Sequence, residues 1–307
     1  MSSNSAIKFF TVFFFILTLK LVFTDLVFSQ EIEPRNYANI PKGFNAVALA
    51  YTYSTGDIVS DASLPLQDFY IKASTPVLAY VRTFSLFGCL SRIQYSLPYS
   101  FLAGDLTYRG IDTSGTRSGF TDSRLRFGIN FLGSPALSPE NFPKYKQGTI
   151  LGASLVTSIP TGQYFPEKLI NLGSNRWGFK PEVGVSTSIG RTFLEAYTGI
   201  WLYTNNNDYL ISNSLSQNPL FSLQLHASYL FNNFMWVAAN FAFANGGQTS
   251  LNGVKNNDYQ SNSRIGLTYS TPLSRQLSAR VQYHVAADTR RGSDYNIFVA
   301  TFQYTWY

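Results

Sequence analysis

The sequence predicts an all-β fold, a transmembrane antiparallel up-and-down β-barrel of about twelve strands, with ten or fourteen also compatible. Three observations carry this. Between Phe221 and Tyr229, apolar Phe221, Leu223, Leu225, Ala227 and Tyr229 hold one parity, and Ser222, Gln224, His226 and Ser228 the other. That beat recurs about a dozen times from Val47 onward, and strand side chains point alternately to opposite faces. The chain also opens on an export-signal pattern and closes on an aromatic strand. A soluble sandwich alternates too, but the signal and the aromatic-rich apolar walls favour the membrane barrel.

Residues 1–29 read as a signal peptide. Lys8 supplies positive charge, Phe9 to Leu19 form an apolar core, and Val27-Phe28-Ser29 precede a cut before Gln30. Lys20 and Asp25 interrupt the apolar stretch, which weakens the alternative of a retained membrane helix. Residues 30–43 read as a periplasmic N-terminal segment, and 44–307 as the barrel. No later stretch has 18 uninterrupted apolar residues, which excludes a bundle of membrane helices. A mean hydropathy near zero suits a barrel, where only every second strand residue must meet lipid. The aromatic content of 16% suits aromatic girdles at two interfaces. The lone Cys89 cannot form an internal disulfide and reads as a small strand residue.

Twelve strands are expected at 45–56, 67–82, 89–103, 121–132, 148–160, 177–189, 191–204, 218–230, 234–245, 261–272, 275–287 and 294–307. Short turns fall near Ser85–Gly88, Ile189-Gly190, Asn232-Asn233 and Pro272–Ser274, and long polar loops at 57–66, 104–120, 161–176, 205–217, 246–260 and 288–293. Outer-membrane barrels put short turns in the periplasm and long loops outside. The breach is Ser134 to Gln147, a long connection on the short-turn side, expected to hold a short helix. With about 23 residues per strand and connection, no room remains for a separate domain or a large plug, which excludes a 22-stranded plugged transporter. The last strand carries Phe298, Ala300, Phe302, Tyr304 and Trp306 on one parity. It is expected to be read by the barrel assembly machinery, although its apolar parity ends one residue before Tyr307.

Alternation assigns the walls. Leu125, Phe127, Ile129 and Phe131 face lipid, which turns Arg124, Arg126 and Asn130 inward; Arg92, Gln94 and Ser96 follow in the strand before. The same rule is expected to turn Lys72, Arg82, Lys180, Glu182, Glu195, Tyr197, Arg264, Arg280, Gln282 and His284 inward, since charge on the lipid face costs about 2–4 kcal/mol at mid-membrane. The cations outnumber the acids. They either favour anionic or electron-rich solutes, or interlock as filling in a narrow barrel, and the two readings can coexist.

His226, Ser228 and Asn240 repeat a spacing seen in outer-membrane phospholipase A, a serine hydrolase. Alternation, however, puts His226 and Ser228 on the polar inner wall, where ordinary lining residues are expected. With two histidines and one cysteine no zinc cluster can be drawn, no phosphate-binding glycine motif is present, and basic residues do not form runs. No cofactor, metal or nucleic acid is therefore expected, and no enzyme activity.

The segment Glu33-Pro34-Arg35-Asn36-Tyr37-Ala38-Asn39-Ile40-Pro41-Lys42-Gly43-Phe44-Asn45 resembles the mature N-terminus of the transporter-like outer-membrane proteins named for the meta-pathway of phenol degradation. Pro160-Thr161-Gly162-Gln163-Tyr164 and the stretch Leu169 to Glu182 resemble that family more specifically, and Leu194-Glu195-Ala196-Tyr197 and Trp201 continue the likeness over nearly the whole mature chain. The resemblance implies uptake of hydrophobic or aromatic compounds across the outer membrane, with no substrate carried over. Trp177, Tyr304 and Trp306 are expected as interface anchors. A luminal constriction is expected on Lys180, Glu182, Glu195, Arg124 and Arg126. The expected function is passive passage of small solutes by a monomer, with a trimer as the alternative. A side-chain-filled barrel acting through its loops in adhesion or binding is the second reading, and a phospholipase-like hydrolase the third.

Overall fold

The computed structural model describes residues 32–59, 66–108, 110–168, 170–231 and 235–307. The signal peptide and the Asn232-Asn233 turn lie outside the described residues. Twelve strands form the barrel: β1 (Asn45–Val59), β2 (Leu66–Leu86), β3 (Cys89–Tyr108), β5 (Ser123–Pro135), β6 (Thr149–Ile159), β7 (Gly178–Ile189), β8 (Thr192–Tyr203), β11 (Leu220–Leu230), β12 (Trp236–Gly246), β15 (Gln260–Pro272), β16 (Leu277–Thr289) and β17 (Gly292–Trp306). Each pairs antiparallel with its chain neighbour, and β1 closes on β17 in a register from Asn45↔Trp306 to Val59↔Gly292. The twelve expected spans coincide with these within a few residues, except that β2 and β3 run on past the membrane-crossing length.

Five further strands decorate the long-loop end. β4 (Ile111–Phe120) pairs with the outer half of β3, while β5 takes the inner half from Cys89 to Ser96. β9 (Asn206–Tyr209), β10 (Asn213–Gln217), β13 (Thr249–Leu251) and β14 (Val254–Lys255) form a separate four-stranded sheet. The sequence reading has these as plain loops. Their Ser, Thr, Asn and Gly content leaves no apolar face to mark a strand, so alternation is silent there. The long connection on the other side holds one 3₁₀ turn, Phe142–Lys144.

The two walls follow parity. Along β11, Phe221, Leu225 and Tyr229 are exposed to the outside while Ser222, Gln224, His226 and Ser228 are buried. Leu78, Val183, Ile200, Leu267 and Phe302 extend the outer apolar belt around the molecule. Two inward assignments are corrected: Lys72 and Arg82 stand on the exposed parity of β2 with Leu78 and Tyr80, opposite buried Ile71, Ala73 and Thr83. They sit near the two ends of the strand, where long cationic side chains reach headgroups or water without crossing the hydrocarbon.

The N-terminal segment is the second correction. It is not an appendage at the short-turn end. The Gly43 N–H donates to Thr83 O at that rim, and residues 32–41 continue into the lumen, where Ile32, Tyr37, Ala38 and Asn39 are buried. No large plug was expected on length, and a short one is formed by the chain leading into β1.

Candidate functional site

The lumen is divided by this segment into a locked side and an open side. On the locked side, Arg126 Nη1 donates to Glu182 Oε1 at 3.0 Å, and Lys180 Nζ lies 3.0 Å from Glu182 Oε2. Arg126 also pairs through Nη2 with Glu33 of the segment. All three strand residues are almost wholly buried, and such charges are tolerated only when paired and hydrogen-bonded. Tyr37 completes the group: its hydroxyl donates to Glu182 at 3.2 Å and shares a 3.2 Å bond with Ser154.

The ring of Tyr37 lies in a slot made by two glycines. Gly152 and Gly184 are cross-strand partners on β6 and β7. A Cβ on Gly152 would come within 2.4 Å of the Tyr37 ring, and one on Gly184 within 2.3 Å. A glycine inside a strand weakens it, and its use here is the close approach of that ring. Tyr197 packs edge-on at 4.9 Å between centroids. The segment backbone is held as well: Glu33 N donates to Gln224 (3.0 Å), Arg35 N to Glu195 Oε2 (2.7 Å) and Asn36 N to the Tyr197 hydroxyl (3.2 Å). Arg92 donates to Asn36 O and to Ala38 O, and Asn130 to Tyr37 O at 3.0 Å.

Of the five residues expected at a constriction, the structure joins Arg126, Lys180 and Glu182 directly. Glu195 holds the segment from the neighbouring strand, and Arg124 lies 5.9 Å from the Trp201 ring, facing the cavity. Among the other inward residues, Arg264 donates to Tyr295 O at 2.6 Å, Arg280 sits over Trp236 at 5.3 Å, and His284 packs on Gly266. Glu33, Arg35, Tyr37 and the two slot glycines were missed. The signal available was Gly152 and Gly184 on the inward parity of two mid-barrel strands.

On the open side, a cavity of about 1450 Å³ lies between the segment and the wall of β17, β1, β2 and β3. That wall is made of small side chains, with Ala46, Ala48, Ala50 and Thr52 from β1 facing it and Ala73, Val77 and Ala79 from β2. Its lining reaches Leu273, Gln276 and Tyr307 at the short-turn rim and Leu172, Gly173 and Gly292 at the long-loop rim. At the latter, Ile170 and Leu172 pack against Phe69, Ile71, Leu102, Tyr295 and Ile297, an apolar mouth. Asp122 pins this 160–177 loop, accepting from Gly162 N and Ser174 N at 2.9 Å each and from the Ser174 hydroxyl.

His226 Nδ1 lies 2.8 Å from Asn240 Oδ1, on the inner wall. Among the described residues its Nε2 and the Ser228 Oγ, both buried, have no hydrogen-bond partner, so the serine and histidine do not bond to each other. Trp177 is exposed at the long-loop end and stacked on Phe179, while Tyr304 and Trp306 are exposed together at the other end.

The family described as MetA-pathway of phenol degradation matches residues 50–302. Among solved structures, an outer membrane channel from Pseudomonas putida F1 superposes with a TM-score of 0.77 at 19% identity, covering 90% of this chain and 100% of that one. The β domain of the Bordetella autotransporter BrkA superposes at 0.50 with 14% identity, covering 86% and 100%. Among curated proteins none matches this chain.

Proposed function

The chain belongs to the MetA-pathway of phenol degradation family, and from that premise we propose that it passes small aromatic or hydrophobic solutes passively across the outer membrane. The chain is a barrel of that membrane, and the observation that carries the proposal is the cavity along its β17–β1–β2–β3 wall. Its lining includes residues of both rims, and its walls are small and largely apolar, which suits flat apolar solutes better than sugars. The buried group of Arg126, Lys180, Glu182, Glu33 and Tyr37 acts in this reading as the lock that holds the N-terminal segment aside. We assign Arg92 and Glu195 to the same task, and Arg124, Arg264, Arg280 and His284 to the lining. Trp177, Tyr304 and Trp306 serve as interface anchors, and the last strand as the assembly signal of a monomer. His226 and Ser228 are lining residues of a channel, not parts of a hydrolase.

The plug favours a second reading, a sealed barrel that works through its looped end. Liposome swelling separates the two. Reconstituted protein exposed to phenol, benzyl alcohol, benzoate, glucose and sucrose should pass the aromatic solutes and retard the sugars. Liposomes impermeable to every solute in the panel would sink the channel reading.

A further inference from the structure

The open side of the lumen contains two cations whose guanidiniums are held by aromatic rings and, among the described residues, by no carboxylate in direct contact. Arg35 of the N-terminal segment and Arg280 of β16 both approach the ring of Trp236, at 5.9 and 5.3 Å from its centroid, and Arg35 also lies 4.0 Å over Phe193. Among the described residues, neither guanidinium has a hydrogen-bond or ion-pair partner; Arg35 Nη1 and Arg280 Nε are buried without one. Glu33 is in contact with Arg126, and Glu195 reaches the backbone N–H of Arg35 and not its guanidinium.

Two guanidiniums held against one indole repel each other, and desolvating them is costly without a counter-charge. The ring faces hold each planar fork by cation–π contact and leave the N–H edges for something else. Arg35, Trp236 and Arg280 all line the cavity. The wall at the level of Arg280 continues through Thr301 on β17, Ala50 on β1 and Val77 on β2, by direct cross-strand pairing. Ala50 is two strand spacings from Arg280, about 10 Å. A fork that matches a carboxylate therefore stands beside a smooth apolar shelf as wide as an aromatic ring.

We infer that Arg35 and Arg280 form a binding site for the carboxylate of a small organic acid with an aromatic or other compact apolar body, which lies on the Thr301–Ala50–Val77 shelf. This rests on the channel reading for its route of access and narrows the solute class from apolar compounds to apolar acids. Trp236 is the positioning residue, keeping the two forks apart and turned to the cavity.

Equilibrium dialysis of the full protein in detergent micelles, with labelled benzoate and labelled benzyl alcohol, tests the site without requiring passage. Saturable benzoate binding is expected, at least tenfold tighter than that of the neutral alcohol. Arg280→Gln and Arg35→Gln should each weaken benzoate about 10- to 100-fold, the range for a lost charged hydrogen bond, and leave benzyl alcohol unchanged. Arg280→Lys should retain part of the binding, which guards against a merely misfolded variant. Benzoate bound equally by wild type and both glutamine variants would overturn the site. Displacement by chloride at equal concentration would also overturn it, since any small anion would then do. If benzoate binds as expected but the same preparation is impermeable in liposomes, the channel reading fails and the site stands.

Discussion

Glu182 shows how a single carboxylate can hold a segment in place. Its Oε1 accepts from Arg126 and Tyr37 and its Oε2 pairs ionically with Lys180, so one carboxylate ties β5, β7 and the N-terminal segment together. Removing one partner of a buried ionic group costs far more than the group contributes net, about 3–5 kcal/mol, because the remaining charges stay buried and unpaired. Glu182→Ala is therefore expected to lower barrel stability by about that amount. The urea midpoint of the folded, heat-modifiable band would report it. The same variant should raise single-channel conductance, because Arg126 retains only Glu33 as a carboxylate partner and Tyr37 loses its carboxylate acceptor, so the segment loosens. Stability within 1 kcal/mol of wild type, roughly the scale of an exposed pair, would show that the group is not a lock.

At the scale of elements, alternation was a sufficient guide to the strands and an insufficient one to what lies between them. Phe221–Tyr229 and Leu125–Phe131 could be assigned to their faces because one parity is apolar throughout. Lys72 and Arg82 follow the parity of their strand and not the rule that charge turns inward. Leu78 and Tyr80 share their parity, and a long cationic side chain toward a strand end can carry its charge out to the interface. The 32–43 segment has no periodicity at all. Its place is set by complementarity with a glycine slot and an ionic group from distant strands, which pattern reading does not sense. The 160–177 loop was legible as a conspicuous motif, but not as an inward fold. Its Asn171, Gly173 and Ser174 serve to pin the loop and line the mouth. Asp122→Ala removes the three bonds that hold it. The expected outcome is a noisier open-channel current and faster entry of phenol, with stability lowered by about 1–3 kcal/mol. Unaltered noise and flux would show that the loop is held by its apolar contacts alone.

The molecule as a whole separates a closed shell from a removable interior. The twelve-strand ladder closes through β1 and β17 without using any residue before Asn45. A twelve-stranded barrel lies between the eight strands that side chains fill and the sixteen that hold a water channel. Whether this one conducts freely is therefore set by what occupies it. Deleting residues 32–41 should leave the barrel folded, since Arg126 and Lys180 keep Glu182 as their partner. Conductance should rise by about twofold or more as the interior approaches that of an unfilled lumen, and sucrose should enter liposomes from which it was excluded. If the deletion leaves conductance and sucrose exclusion as they were, the constriction lies elsewhere, with the apolar mouth of Phe69, Leu102 and Leu172 as the next place to look.

The alanine-lined wall opposite the lock also has a bearing on how such a protein can diversify. Ala48, Ala50 and Ala79 line the cavity on β1 and β2, away from the strands that carry the ionic group, and each is one small substitution from valine, serine or threonine. Exchanges there would reshape the passage one methyl or hydroxyl at a time, while the ionic group that holds the segment stands on other strands. A lineage could therefore change its diet by drift along one wall, without first having to rebuild the lock.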